Sequence, residues 1–286
     1  MPLIAPVHRT PRVRPTRCRG FTLAELAIVV LVIALLLGGL TLTLSTQTEL
    51  RRIEDTQRTL DLAKEALIGF AITRGRLPCP ANPAIATGAA NAGVEQLPAG
   101  APPQLCASQF GVLPWVTLGV PETDAWGRRL SYRVFNDFAD TDNVTVGPLG
   151  APGCLAAPGA FDATKPSFQL CSIGNLQVQT RNPADRSLQS LSLNLGAVIV
   201  SHGANGLGGR APDGTLLAAP PGLDEQVNAN IPPGTTAFRS RELTRPSAGV
   251  CDDNAAGTPL CEFDDLVAWV PTVVLMNRMV ASGKLP

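Results

Sequence analysis

The chain has 286 residues, enough for one or two domains with a packed core. Its formal net charge is zero, but Arg9, Arg12, Arg14, Arg17 and Arg19 all fall in residues 1–20 with no acid among them, leaving 18 basic against 23 acidic residues beyond. That acid-rich remainder argues against nucleic-acid binding by general electrostatics, and 27 glycines with 26 prolines argue for strands, turns and loops rather than many long helices.

Residues 1–20 are basic and broken by prolines, so no stable helix is expected there. Residues 21–44, FTLAELAIVVLVIALLLGGLTLTL, carry one charge, Glu25. About 20 apolar residues span a bilayer as a helix, and the arginine cluster ahead places the N-terminus on the cytoplasmic side. The helical pattern continues past the apolar run. Leu50, Ile53, Leu60, Ala63, Leu67 and Phe70 recur on one stripe with charges on the other faces. No proline interrupts residues 21–77. The spacing predicts a helix from 21 to about 74, roughly 80 Å long at about 1.5 Å per residue. Gly38-Gly39 is its weak point.

Composition then shifts. Residues 75–114 hold seven prolines and read as an irregular connection. Leu130, Tyr132 and Val134 alternate with Ser131, Arg133 and Phe135, a strand after a turn at Trp126-Gly127. Residues 190–200, SLSLNLGAVIV, read as a strand buried on both faces toward its end, broken by a turn at Ser201-His202-Gly203-Ala204-Asn205-Gly206. Residues 207–260 read mostly as loop, Leu266–Val270 as a last strand, and Pro271 as the first-turn residue of a helix reaching Ala281.

Cys18 lies in the basic leader; the other six cysteines are Cys79, Cys106, Cys154, Cys171, Cys251 and Cys261. An even number beyond a membrane span suggests disulfides in an oxidising compartment. Their spacing is not that of a zinc knuckle. Six cysteines leave 15 connectivities open; pairing in sequence order closes the shortest loops.

The stretch Arg19-Gly20-Phe21-Thr22-Leu23-Ala24-Glu25 before the apolar run resembles the cleavage signal of type IV prepilins and type II secretion pseudopilins. The resemblance implies that a prepilin peptidase cuts after Gly20 and methylates Phe21. It also implies that Glu25 pairs with the new amine at Phe21 of a neighbouring subunit during assembly. A carboxylate in a membrane helix costs about 2.5–3.5 kcal/mol on insertion scales, so a cationic partner is expected on physical grounds too. An ordinary secretory signal has a shorter apolar region and a small-residue cleavage site after it, and a plain signal-anchor needs neither Gly20 nor Glu25. Asp124-Ala125-Trp126-Gly127, ending at Tyr132, resembles the D-x-W-G-x-x-x-x-Y turn of pseudopilin globular domains, which leads into a strand packed on the long helix. Ser201–Gly206 is similar to the S-x-G-A-D-G loop of the major type II pseudopilin, whose loop region binds calcium. Here Asn205 replaces the aspartate, and Asp213, Asp224 and Glu225 are scattered after it.

The expected fold is α+β: a long N-terminal helix, half transmembrane, packed on a small antiparallel sheet in a loop-rich pilin-like body. The expected parts are a cleaved leader at 1–20, the membrane-spanning and amphipathic helix at 21–75, and a periplasmic or extracellular domain at 76–286 with long loops at 136–190 and 207–260. The function implied is that of a minor structural subunit of a type II secretion pseudopilus or type IV pilus. The alternative is a membrane-tethered adhesin or ligand-binding protein that uses the same export route. Expected partners are the prepilin peptidase, other pilin subunits, the inner-membrane assembly platform and membrane lipid, with no nucleic acid. No catalysis is expected. Ser201 and His202 are neighbours whose side chains diverge on a strand, His202 reads as a loop residue, and Asp252-Asp253 and Asp264-Asp265 read as solvated or capping acids. No cofactor is expected beyond calcium, with Asp264 and Asp265 as its candidate ligands; calcium takes six to eight oxygens.

Overall fold

The computed structural model describes residue 20 and residues 22–97, 105–140, 166–245 and 249–285, without the side chains of 35–46. The chain divides into two compact units, Met1–Glu49 and Leu50–Pro286. Helix α1, Leu23–Arg74, begins in the first and ends in the second.

In the first unit, from Leu23 to Ile33, α1 carries aliphatic side chains all round with Glu25 as its one charge. Leu23, Leu26, Ile28, Val29, Val30, Leu31, Val32 and Ile33 are between 46% and 87% exposed. Among the described residues no helix is long and apolar enough to cross a membrane, and the expected span at 21–44 runs into side chains outside them.

In the second unit α1 lies on a six-stranded sheet. The strands are β1 (Phe110–Val112), β2 (Ser131–Val134), β3 (Leu176–Arg181), β4 (Leu188–Ser201), β5 (Ala237–Arg239) and β6 (Leu266–Pro271). They run in the order β1-β2-β4-β3-β5, and β6 also pairs with β4. Short helices α2 (Trp115–Leu118), α3 (Asn136–Ala139) and α4 (Leu223–Asn228), with the terminal α5 (Thr272–Ala281), complete the described elements.

β4 organises the sheet. Its Ala197–Val200 segment is flanked by β2, with Tyr132 opposite Ile199, and by β6, with Trp269 opposite Val198. Side chains alternate across a strand, so Ala197 and Ile199 join Leu60, Ala63 and Leu67 of α1 in the main core. Val198 and Val200 face a second cluster with Leu176, Val178 and Phe238. This explains an unbroken apolar run where a half-buried strand would alternate.

The sheet is mixed rather than antiparallel. β3 pairs with β5 in parallel, Val178 opposite Phe238. Antiparallel β4 carries the chain back between them, and residues 202–236, with α4 inside, lead from the end of β4 to β5. The stretch 207–260, expected to be mostly loop, therefore holds α4 and β5, and the expected loop at 136–190 holds α3, β3 and the start of β4. The helix stripe is also displaced. Leu60, Ala63 and Leu67 are buried, but Leu50 is exposed and Phe70 half-buried, while Ile68, Ala71 and the polar Thr56 lie in the buried face. Pro271 ends β6 and caps α5, one residue before the expected position.

Cys79 is bonded to Cys106 and Cys251 to Cys261, neighbours in sequence order. Cys171 is also disulfide-bonded; Cys154 lies outside the described residues.

Candidate functional site

At the N-terminal end, Thr22 precedes the first helical residue and Glu25 is the third residue of α1. The Thr22 amide and hydroxyl donate to Glu25 Oε2 at 2.9 and 3.0 Å, and the Glu25 amide donates to Thr22 Oγ1 at 3.3 Å. This is a capping box: two orphan amide donors of the first turn are satisfied reciprocally. The T-x-x-E spacing carried that signal, which a reading of Glu25 as an assembly residue alone passes over. Gly20 is exposed, and a Cβ there would meet nothing within 4 Å. Packing of the described residues thus imposes no glycine at 20. Phe21 lies outside the described residues, as does the leader up to Arg19.

In the second unit the two motifs of the body meet. Asp124 is buried and accepts the amides of Trp126 and Arg128 on Oδ1 at 3.0 and 2.9 Å, closing a turn with Gly127 at φ 76°. Its Oδ2 accepts the Ser201 hydroxyl at 2.6 Å. Burial pushes the Asp124 carboxyl up despite these donors. The Ala125 amide donates to Thr56 Oγ1 on α1 at 3.2 Å, which fixes the turn against the helix.

His202 lies just past the end of β4 but is not a solvated loop residue. It is fully buried, with Nε2 2.8 Å from Ser131 Oγ and Nδ1 3.7 Å from Asp265 Oδ1. The serine that meets it lies seventy-one residues upstream, on β2. The order serine, imidazole, carboxylate is that of a hydrolase, but Ser131, His202 and Asp265 are 3%, 0% and 3% exposed. A substrate cannot reach that hydroxyl without opening the sheet.

The acid pairs are each split: Asp252 and Asp264 are half-buried, Asp252 taking the Asn254 and Ala255 amides as a capping acid, whereas Asp253 and Asp265 are buried rather than solvated. Asp253 is buried, accepts the amides of Asp224 and Cys261, and faces Arg241. Asp224 is held by Arg181, Arg239 and Arg241. Its neighbour Glu225 instead meets Asp264 and Asp265, and one carboxylate oxygen from each of the three lies within 4.8 Å of the others. Burial, then the charge of Asp265, pushes the Glu225 carboxyl up to about 8. Burial raises Asp264 to about 6. Gly203, at φ 55°, is required here, because a Cβ would fall 2.5 Å from the Asp264 carboxylate. The sequence pointed to Asp264 and Asp265 but left Glu225 among scattered acids, because only the β4–β5 connection through α4 brings it to them.

Against known proteins, residues 15–41 match the family model described as the prokaryotic N-terminal methylation motif. The chain therefore carries the prepilin-type signal of type IV pilins and pseudopilins. No curated protein matches the chain, and no solved structure does either.

Proposed function

We propose that this chain is a structural subunit, and a minor one, of a type II secretion pseudopilus or type IV pilus. The observation that carries the reading is the methylation motif at 15–41 running directly into a helix with aliphatic side chains exposed on every face. A helix apolar all round is stable only against lipid or other apolar helices. In this reading the prepilin peptidase removes residues 1–20 at the Gly20–Phe21 bond and methylates the Phe21 amine. Residues 21–75 anchor the protein in the bacterial inner membrane and later bundle with other subunits. The 76–286 body faces the periplasm or the outside of the filament. Glu25 meets the Phe21 amine of the adjacent subunit, where opposite charges in lipid offset each other's desolvation. The assembly platform supplies the extraction from lipid, and the body contributes packing rather than catalysis.

The mass and N-terminal sequence of the protein recovered from cells with and without prepilin peptidase test this. The expected product begins with N-methylated Phe21 only where the peptidase is present. A chain that keeps its leader in both, or starts elsewhere, overturns the reading. Minor status is tested by subunit stoichiometry in sheared filaments, where abundance equal to that of the shaft subunit counts against it.

A further inference from the structure

β4 is paired on both sides along only part of its length. At Leu195 it has Leu176 of β3 opposite on one side and Pro271 of β6 on the other, so β3 and β6 flank it from opposite sides. Beyond Pro271 the chain leaves the sheet as α5, and the Thr272 hydroxyl donates to the Asn194 carbonyl at 2.8 Å. Among the described residues nothing pairs with that side of residues 188–193. Six of the seven residues 188–194 are exposed, on both faces of the strand. Two register shifts against β3 leave Leu191 and Leu193 without an opposed residue, and they are 50% and 55% exposed. Bulges re-aim side chains, and these turn leucines outward. An open edge is a template for pairing with another chain, which charge or proline commonly blocks; LQSLSLN has neither.

A second open edge belongs to β6. Val267, Ala268 and Trp269 are consecutive, so their side chains alternate between faces, yet all three line one groove of about 430 Å³. A groove reached by both sets of side chains runs along the strand's edge, and β4 holds the other edge. Its far wall is α1, where Ile68 lies among Asp61, Lys64 and Glu65. Those charges are already matched: Lys64 Nζ lies 3.3 Å from Asp61, and Arg278 lies 3.8 Å from Glu65. The groove therefore suits an uncharged, leucine-bearing strand.

We propose that the 188–193 edge of one copy docks in the β6 groove of a second copy, joining the two sheets edge to edge. Main-chain hydrogen bonds supply the affinity of such strand addition and alternate side chains its specificity. One chain cannot make this contact with itself, because its β4 is already fixed to β3 and β6. Donor and acceptor are different surfaces, so the contact is head-to-tail and repeats instead of closing a dimer. The inference rests on the filament reading and deepens it: a minor subunit with this contact stands in short runs of its own copies, not singly among shaft subunits.

The test uses the full chain, with Cys18→Ser to remove the leader thiol, concentrated in detergent and also in sheared filaments. Ser190→Cys and Lys64→Cys are made on separate chains and on one chain, and a short thiol cross-linker is added. Each single variant is expected to stay monomeric, their mixture to give dimers, and the double variant to give a ladder of oligomers. Leu193→Asp should cut the ladder about tenfold or more with the melting temperature unchanged, because the groove offers its carboxylate no free cation. Should Lys64→Cys not fold, Val274→Cys, which lines the same groove, takes its place. Dimers from Ser190→Cys alone would mean that two 188–193 edges meet each other, and overturn the proposal. No ladder in detergent or in filaments overturns it as well. The detergent readout does not depend on leader removal, so this proposal and the filament reading fail separately.

Discussion

Asp124 holds a turn, the end of a strand and a helix in one place. Its carboxylate takes the Trp126 and Arg128 amides and the Ser201 hydroxyl, and the next amide bonds Thr56 on α1. Removing an acceptor from buried donors costs about 1–3 kcal/mol per orphaned group. Asp124→Ala is therefore expected to destabilise the protein by about 3 kcal/mol, and Asp124→Asn, which keeps an acceptor on the turn, by much less; urea midpoints measure both. The pH dependence has a definite sign. Burial raises the folded carboxyl above its ordinary value of 3.8. The protonated acid therefore suits the fold better than the carboxylate does. Its contribution is complete below that ordinary value and is lost as pH rises through the folded one. Asp124→Asn, which mimics the protonated form, should gain on the wild type between acid and neutral pH, and an unchanged difference would refute the burial argument. At this scale the sequence showed the two motifs but not that they touch. Ser201 and Asp124 are 77 residues apart, and Ser131 and His202 are 71 apart. Ser201 and His202, adjacent in the chain, meet different partners, and nothing local in the sequence points His202 to Ser131.

Elements with a strong period were legible, and those fixed by tertiary pairing were not. The strand expected at 190–200 is β4, that at 266–270 is β6, and the terminal helix ends at Ala281 as expected. β5 has three residues and α4 six, both among prolines and glycines, so neither fills a window in which a period can be seen. The parallel register of β3 with β5 comes from packing on Val178 and Phe238, which local pattern cannot specify. The disulfides act on the same scale, since each closes a segment poor in regular structure. Cys79 and Cys106 are 27 residues apart, Cys251 and Cys261 only 10. Loop-closure entropy assigns about 3.5 kcal/mol to the first and about 2.7 kcal/mol to the second. Replacing Cys79 and Cys106 by serine should therefore lower the denaturation midpoint more than replacing Cys251 and Cys261. The reverse order would mean that strain or unfolded-state structure outweighs the entropy.

Among the described residues, the core and the longest run of exposed aliphatics belong to different stretches of chain. Every buried residue among those described lies at Thr56 or later, whereas the run of exposed aliphatics from Leu23 to Ile33 lies in the first unit. Stability and anchoring should then be separable by a cut at the unit boundary inside α1. Residues 50–286 keep Thr56, Leu60, Ala63, Leu67 and Ala71, and with them the helical side of the main core. The part of α1 that is lost buries nothing described and adds only helix propensity, which is weak without packing. A fragment of residues 50–286, made with its disulfides oxidised, is expected to melt within a few degrees of the full chain and to stay in the aqueous phase on ultracentrifugation. The full chain should sediment with membranes and need detergent. The same fragment should be absent from filaments, because the signal, the aliphatic face and Glu25 are all gone. A fragment that unfolds would show that the first unit stabilises the second. A fragment that still enters filaments would place assembly on the body and not on the helix, and the anchor would then serve delivery alone.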